Sequence, residues 1–163
     1  LKRIYKKNPL MRARFVNEIG EGSSPAMPFE YKGMLGDILH QYHFKIDDTR
    51  YLANFYNPQV DKKKVKDDYV IDFNTFDDEF ETVTNLGDFF KIIPTVIAIT
   101  EDFYKNHKVR RFILNPVKSY RGDKRRYNVF LNVVEKNIPD GWDIKPSKFW
   151  NKIVIIPSSE KNL

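Results

Sequence analysis

Cysteine is absent from this 163-residue chain, which excludes a disulfide framework and a thiolate-bound zinc site and leaves the redox compartment unmarked. Histidine is scarce, with only His40, His43 and His107. The first two stand three apart in a segment that reads as loop running into strand, with no third ligand at a recognisable spacing, so no metal site is expected. Apolar runs never approach the roughly 18 residues of a membrane span, and the first residues lack the apolar centre of a secretory signal. A soluble chain with no membrane partner is expected. Serines are present, but none sits in a Gly-flanked turn of the kind that exposes a nucleophile, and no histidine is placed beside one.

What the chain does have is 41% hydrophobic and 15% aromatic content at 19.4 kDa, enough for one well-filled core. Charge is segregated along it. Residues 1–16 carry Lys2, Arg3, Lys6, Lys7, Arg12 and Arg14 with no acid; residues 17–81 hold seven bases against fourteen acids; residues 82–163 hold fifteen against eight. The net charge of +6 therefore conceals a basic, acidic, basic order, which can steer an anionic partner or set up head-to-tail contacts between protomers.

Residues 1–30 read as a basic arm, because Pro9 and the Gly/Ser/Pro run from Glu18 to Phe29 cannot hold a regular helix. Its Ile4, Leu10, Phe15, Ile19 and Phe29 are apolar enough to dock on this domain or a neighbour. Residues 31–157 read as one α+β domain, and 158–163 as a polar tail. Tyr42, Phe44 and Ile46 alternate with polar residues, Asp47 to Arg50 makes a turn, and Tyr51, Ala53 and Phe55 continue with period two, which predicts a hairpin. Pro58 to Lys66 reads as a charged loop. Tyr69, Ile71 and Phe73 give a third strand within a stretch, 67–81, of seven acids and no base. Its carboxylates Asp77, Asp78, Glu79 and Glu81 lack the spacing of a calcium loop and read as a solvated turn.

Asp88 is the expected N-cap of a helix whose Phe89, Ile92, Val96, Ile99 and Phe103 recur at three and four residues, with Pro94 expected to kink it near its start. Arg110 to Asn115 reads as a short strand. Asp123 is placed to cap a second helix with a stripe of Tyr127, Phe130, Leu131, Val134 and Ile138, ended by Pro139-Asp140-Gly141, and Lys152 to Ile156 is a last strand.

The candidate site is a basic edge. Between residues 105 and 126 stand Lys105, Lys108, Arg110, Arg111, Lys118, Arg121, Lys124, Arg125 and Arg126 against the single acid Asp123. Such side chains neutralise phosphates, and the interleaved Tyr120 and Tyr127 would stack on unpaired bases. The same arginines pair bidentately with carboxylates, so an acidic protein surface fits equally. Tyr127 also lies on the apolar stripe, where a core role competes with stacking, and no nucleic-acid reading motif is present.

Two resemblances follow. The order of elements resembles the GNAT-type N-acetyltransferase fold, and the segment from Thr84 onward resembles the second half of that family, which holds the pyrophosphate of an acyl cofactor on backbone N–H groups at the start of the main helix. The corresponding residues are Thr84, Asn85, Leu86, Gly87, Asp88 and Phe89, of which Gly87 alone agrees. Asp88 sets a carboxylate beside the phosphates, and Phe89 is bulky where the backbone must approach closely. Val129-Phe130 stands where that family carries a Leu-Tyr pair with the general acid, ahead of Gly141-Trp142, and Phe130 has no proton to give. The resemblance implies a GNAT-like arrangement of a mostly antiparallel sheet with two main helices, and no acyl cofactor. Glu18-Ile19-Gly20-Glu21-Gly22, then Pro28-Phe29 and Arg125-Arg126-Tyr127, are similar to small proteins encoded by tailed bacteriophages, which implies a viral or prophage origin and no particular chemistry. The expectation is a non-enzymatic structural or interaction protein that contacts other protein chains in a virion, located in the virion or host cytoplasm. A nucleic-acid-binding accessory protein comes second and a divergent acetyltransferase third.

Overall fold

The computed structural model describes residues 3–4, 25–76, 86–115, 124–147 and 150–158. In chain order the elements are β1 (Arg3–Ile4), β2 (Phe29–Leu35), β3 (Leu39–Ile46), β4 (Thr49–Tyr56), β5 (Gln59–Val60), β6 (Lys63–Lys64), β7 (Asp68–Thr75), α1 (Leu86–Asn106), β8 (Arg111–Leu114), α2 (Lys124–Asn137), β9 (Asp143–Ser147) and β10 (Lys152–Ile156). Eight strands form one sheet in the order β1-β2-β3-β4-β7-β8-β10-β9, while β5 and β6 make a separate small hairpin. Every pairing is antiparallel except β7 with β8, whose connection contains α1, as parallel neighbours require a crossover. The class is α+β, a mostly antiparallel sheet with two helices.

Alternation decides which face each strand buries. Across the sheet Phe29 pairs with Phe44 and Phe44 with Tyr51; Tyr42 pairs with Ala53 and Ala53 with Phe73; Phe55 pairs with Ile71 and Ile71 with Leu114. These residues share one face with Phe112, Ile153 and Ile155, and belong to a single core cluster with the buried residues of α1 and α2. The rings interlock: Phe55 stacks on Phe103 at 4.5 Å between centroids, Phe44 on Tyr51 at 5.3 Å and Phe73 on Phe130 at 5.8 Å. The opposite face carries Gln41, His43, Leu52, Asn54, Tyr56, Asp72 and Ile113, all half-buried.

Helix α1 differs from the one-sided stripe expected for it. Residues 92–100 are all buried, including Thr95 and Thr100, whose hydroxyls donate to the carbonyls of Lys91 and Val96 and so satisfy themselves within the helix. A helix apolar all round is a central one, and Met27 N–H donates to Thr95 Oγ1 at 2.9 Å, bringing the segment before β2 onto it. The helix starts at Leu86 and runs through Pro94, so Asp88 lies in its first turn instead of capping it. In α2, Tyr127, Phe130 and Val134 are buried as the stripe requires, with Leu131 and Ile138 packed against the core from its margin.

Five strands were hidden in the sequence. Phe29 and Glu30, assigned above to the arm, open β2, and Phe29 is a core residue; Arg3 and Ile4 from the arm pair with Tyr31 and Glu30. The period-two pattern of β2 breaks at Gly33, where the register shifts and φ is +96°, a conformation that favours glycine. The loop from Pro58 to Lys66 contains the β5–β6 hairpin, whose central residues Asp61 and Lys62 both have positive φ, +52° and +66°, as a two-residue turn between right-twisted strands demands. Strand β9 lies at the sheet edge, where Pro146 interrupts no interior ladder.

Candidate functional site

Asp68 is the first residue of β7 and sits directly opposite Arg111, the first residue of β8. Its side chain is fully buried, at 0% exposure, yet it is a carboxylate. The cover is made of two guanidinium groups. Arg110 Nε donates to Asp68 Oδ1 at 2.9 Å and Nη2 to Oδ2 at 2.8 Å, a bidentate fork, and Arg111 Nε donates to Oδ2 at 2.9 Å. The backbone closes the arrangement, with Arg110 N–H donating to the Asp67 carbonyl at 2.7 Å. Burial acts to raise the pKa of Asp68, but the hydrogen bonds and charges of Arg110 and Arg111 outweigh it and hold the carboxyl below its ordinary value. The same bonds raise that of Arg110.

One negative charge thus holds two positive ones. Arg110 and Arg111 remain 64% and 43% exposed, and since each guanidinium has five N–H donors, most of their donors stay open to a partner. The side chains are held at one end, which removes rotamer entropy that an unanchored arginine would lose on binding.

The sheet fixes what surrounds this pair. Leu39 pairs with Tyr56 and Tyr56 with Val70, two residues into β7, so the β2–β3 turn, the β5–β6 hairpin and the start of β8 all lie at one end of the strands. Lys64 Nζ donates to the Asp37 carbonyl at 3.1 Å, tying hairpin to turn. Lys62, Lys63, Lys64 and Lys66 are exposed there, as are Lys105 at the end of α1 and Lys108 just beyond it. Those lysines of the hairpin were not part of the expected site. The signal for them was present, three consecutive lysines, but the sequence alone did not show that β7 returns beside them.

The backbone of the basic edge spans both ends of β8. Lys105, Lys108, Arg110 and Arg111 are at the end where β8 begins. Helix α2 starts at the other end: Tyr127 donates to the carbonyl of Lys152 at 2.9 Å, and the next residue, Ile153, pairs with Leu114, where β8 finishes. Lys124, Arg125 and Arg126 occupy the first turn of α2, so their backbone lies roughly 10 Å along the strand direction from that of Arg111. Lys118, Arg121 and Tyr120 lie outside the described residues. Tyr127 is fully buried in the core, with its hydroxyl bonded and its pKa raised by burial against the opposing backbone hydrogen bond of Ser147. The acidic stretch is also partly consumed internally, by Asp68 and by Asp72, which accepts from Tyr56 Oη at 3.0 Å. Residues 77–81 of the stretch lie outside the described residues, as do Thr84 and Asn85.

Behind this end lies an imidazole pair. His40 Nδ1 and Tyr31 Oη are 2.8 Å apart. The ring of His40 is 4.5 Å from that of His107, which stacks on Phe103 at 4.0 Å and donates from Nδ1 to the Phe103 carbonyl. Burial, with the neighbouring His107, lowers the pKa of His40 to about 4. The sequence paired His40 with His43, but His43 faces the opposite side of the sheet and meets Gln41 and Phe76. Among the described residues no three His, Asp or Glu gather as metal ligands, and no helix is long and apolar enough to cross a membrane.

No protein-family model matches the chain, and neither the curated proteins nor the solved structures include a significant match.

Proposed function

We propose that this protein is a non-enzymatic interaction module that contacts carboxylate-bearing surfaces of other protein chains through the end of the sheet built on Asp68, Arg110 and Arg111. The observation that carries the reading is the buried carboxylate fork: it presents two fixed, partly exposed guanidinium groups, whose planar donor geometry matches carboxylates bidentately. Nucleic-acid binding is the less favoured reading, since Tyr127 is a core residue and the backbone of the basic run is spread over both ends of β8. The likeness to tailed-bacteriophage proteins supports a virion component, or a factor in the host cytoplasm, as the setting. A divergent GNAT-like acetyltransferase rests on element order alone, and its cofactor loop would carry Asp88 and Phe89 where phosphates need an open backbone.

Fluorescence anisotropy with short single- and double-stranded oligonucleotides tests the reading. Weak, unsaturated binding at physiological salt is expected. A saturable sub-micromolar complex whose affinity falls with salt by about 0.7 to 0.9 logarithmic units per neutralised phosphate, and which Lys62→Glu/Lys63→Glu abolishes, would replace it with nucleic-acid binding.

A further inference from the structure

Among the described residues, six large apolar side chains are exposed, and four of them, Met34, Leu35, Ile38 and Val60, belong to just two neighbouring tips. Met34 and Leu35 end β2, Ile38 lies in the turn to β3, and Val60 ends β5. Ile38 is 71% exposed and Val60 60%. The two tips are fastened together by the bond from Lys64 to the Asp37 carbonyl. Scattered exposed aliphatics are ordinary; a group of four on two joined tips is the kind of feature that marks a contact surface.

We infer that these two tips form the apolar anchor of a protein docking surface, and that its partner is a protein segment with aliphatic or aromatic side chains flanked by Asp and Glu. The inference rests on the proposed protein-contact reading and names the partner's chemistry. Charge complementarity selects the occupant. Around the tips stand Lys62, Lys63, Lys64 and Lys66, with Lys105, Lys108 and the Arg110–Arg111 pair at the same end, against Asp37, Asp61 and Asp67. An apolar centre ringed by like charge is the usual anatomy of a protein interface, where the centre supplies affinity and the charged rim supplies orientation and on-rate. A polynucleotide fits poorly, because the four exposed side chains are aliphatic or thioether and offer no ring on which a base could stack. Among the described residues a second copy of this chain offers no matching surface: the turn at the far end carries Asp47 and Asp48, but Lys45, Arg50 and Lys91 stand beside it.

Selection of a displayed library of random short peptides against the whole immobilised protein is the test. Enriched sequences should combine Leu, Ile, Phe or Trp with Asp or Glu, and a synthesised winner should lose affinity by about tenfold or more for Ile38→Asp and, separately, for Val60→Asp. Both positions are exposed, so unchanged melting temperatures should accompany the loss, and having two variants keeps the test valid if one misfolds. Lys62→Glu/Lys63→Glu should weaken the same peptide and flatten its salt dependence. Enrichment of acidic peptides that are indifferent to Ile38→Asp and Val60→Asp would overturn the anchor while leaving the carboxylate-contact reading intact. Enrichment of apolar peptides without acids, or no enrichment, would overturn the inference, and the oligonucleotide measurement then decides the broader reading by itself.

Discussion

The two faces of the sheet are made by the same strands and differ in nearly everything else. On the helix side Tyr42, Phe44, Phe55, Ile71 and Phe112 are buried in one cluster with α1 and α2, and polar groups there are few, such as Tyr42 Oη, which donates to Asp102 at 2.9 Å. On the other side Gln41, His43 and Asn54 bond to one another and Tyr56 bonds to Asp72, while Leu52 and Ile113 stay half-buried. Stability should therefore be concentrated on one face, and the other should tolerate change. The largest expected effect is the plainest test. Phe103→Ala and Phe55→Ala, which separate the rings stacked at 4.5 Å, should each cost about 3 to 5 kcal/mol, whereas Leu52→Ala should cost under about 1 kcal/mol. Urea midpoints of the three variants decide it, and equal losses would break the distinction between faces.

The second test compares one kind of bond on the buried side. Tyr42→Phe removes the donor to Asp102 and leaves a buried carboxylate with one partner fewer, which should cost about 1.5 to 3 kcal/mol, the range for hydrogen bonds to charged groups. Equilibrium unfolding measures it. An unchanged midpoint would mean that Asp102 recovers the bond elsewhere.

Legibility in the sequence followed the same division. Strands β3 and β4 were readable because each buries one face only, so period two survives in Tyr42, Phe44 and Ile46 or Tyr51, Ala53 and Phe55; β7 was readable from Tyr69, Ile71 and Phe73, although it also buries Asp68 and Val70 on its other face. Helix α2 was readable for the equivalent reason. Strand β2 was not, because the bulge at Gly33 shifts the alternation, and β9 was not, because an edge strand keeps Asp143, Lys145 and Pro146. The all-round burial of α1 was missed since its threonines look polar until their hydroxyls are seen to bond within the helix. The candidate site was legible in composition and not in geometry. Nothing local announces that Asp68 meets Arg110 and Arg111 more than forty residues later, because that meeting depends on the parallel register of β7 and β8. Nor does the sequence show that Lys105 and Arg126 lie at opposite ends of a strand.

The third test moves to the margin of the buried face and uses pH. His40 has an ordinary value near 6.5 when unfolded and about 4 when folded, so between those values the unfolded chain binds the additional proton and folding stability must fall as pH drops through that window. Partial exposure screens the effect, leaving about 1 to 2 kcal/mol. His43, also lowered by burial first and then by Lys32 and Arg50 against Glu30, acts in the same direction. Asp68 acts lower on the scale: its folded value is depressed, so its contribution is present above the ordinary carboxyl value and is lost only as pH falls through the folded one. Denaturant midpoints from pH 7 to 4 should decline for the wild type and decline less for His40→Gln. Identical slopes would show that the imidazole pair does not couple to folding.

The smallest effect is expected on the open face, at Tyr56. Its hydroxyl donates to Asp72 Oδ2 at 3.0 Å, and burial, then the charge and hydrogen bond of Asp72, raise its pKa. The bond is formally the same as that between Tyr42 and Asp102, a phenol on a carboxylate. What differs is the surroundings, since both Tyr56 and Asp72 are half-buried and water can replace either partner. Tyr56→Phe should therefore cost about 0.5 to 1 kcal/mol, less than Tyr42→Phe in the same buffer. The ratio of the two losses is a direct reading of how unequal the faces are. A Tyr56→Phe loss as large as that of Tyr42→Phe would show that the open face is as dry as the helix side, and that further chain or a partner covers it in solution.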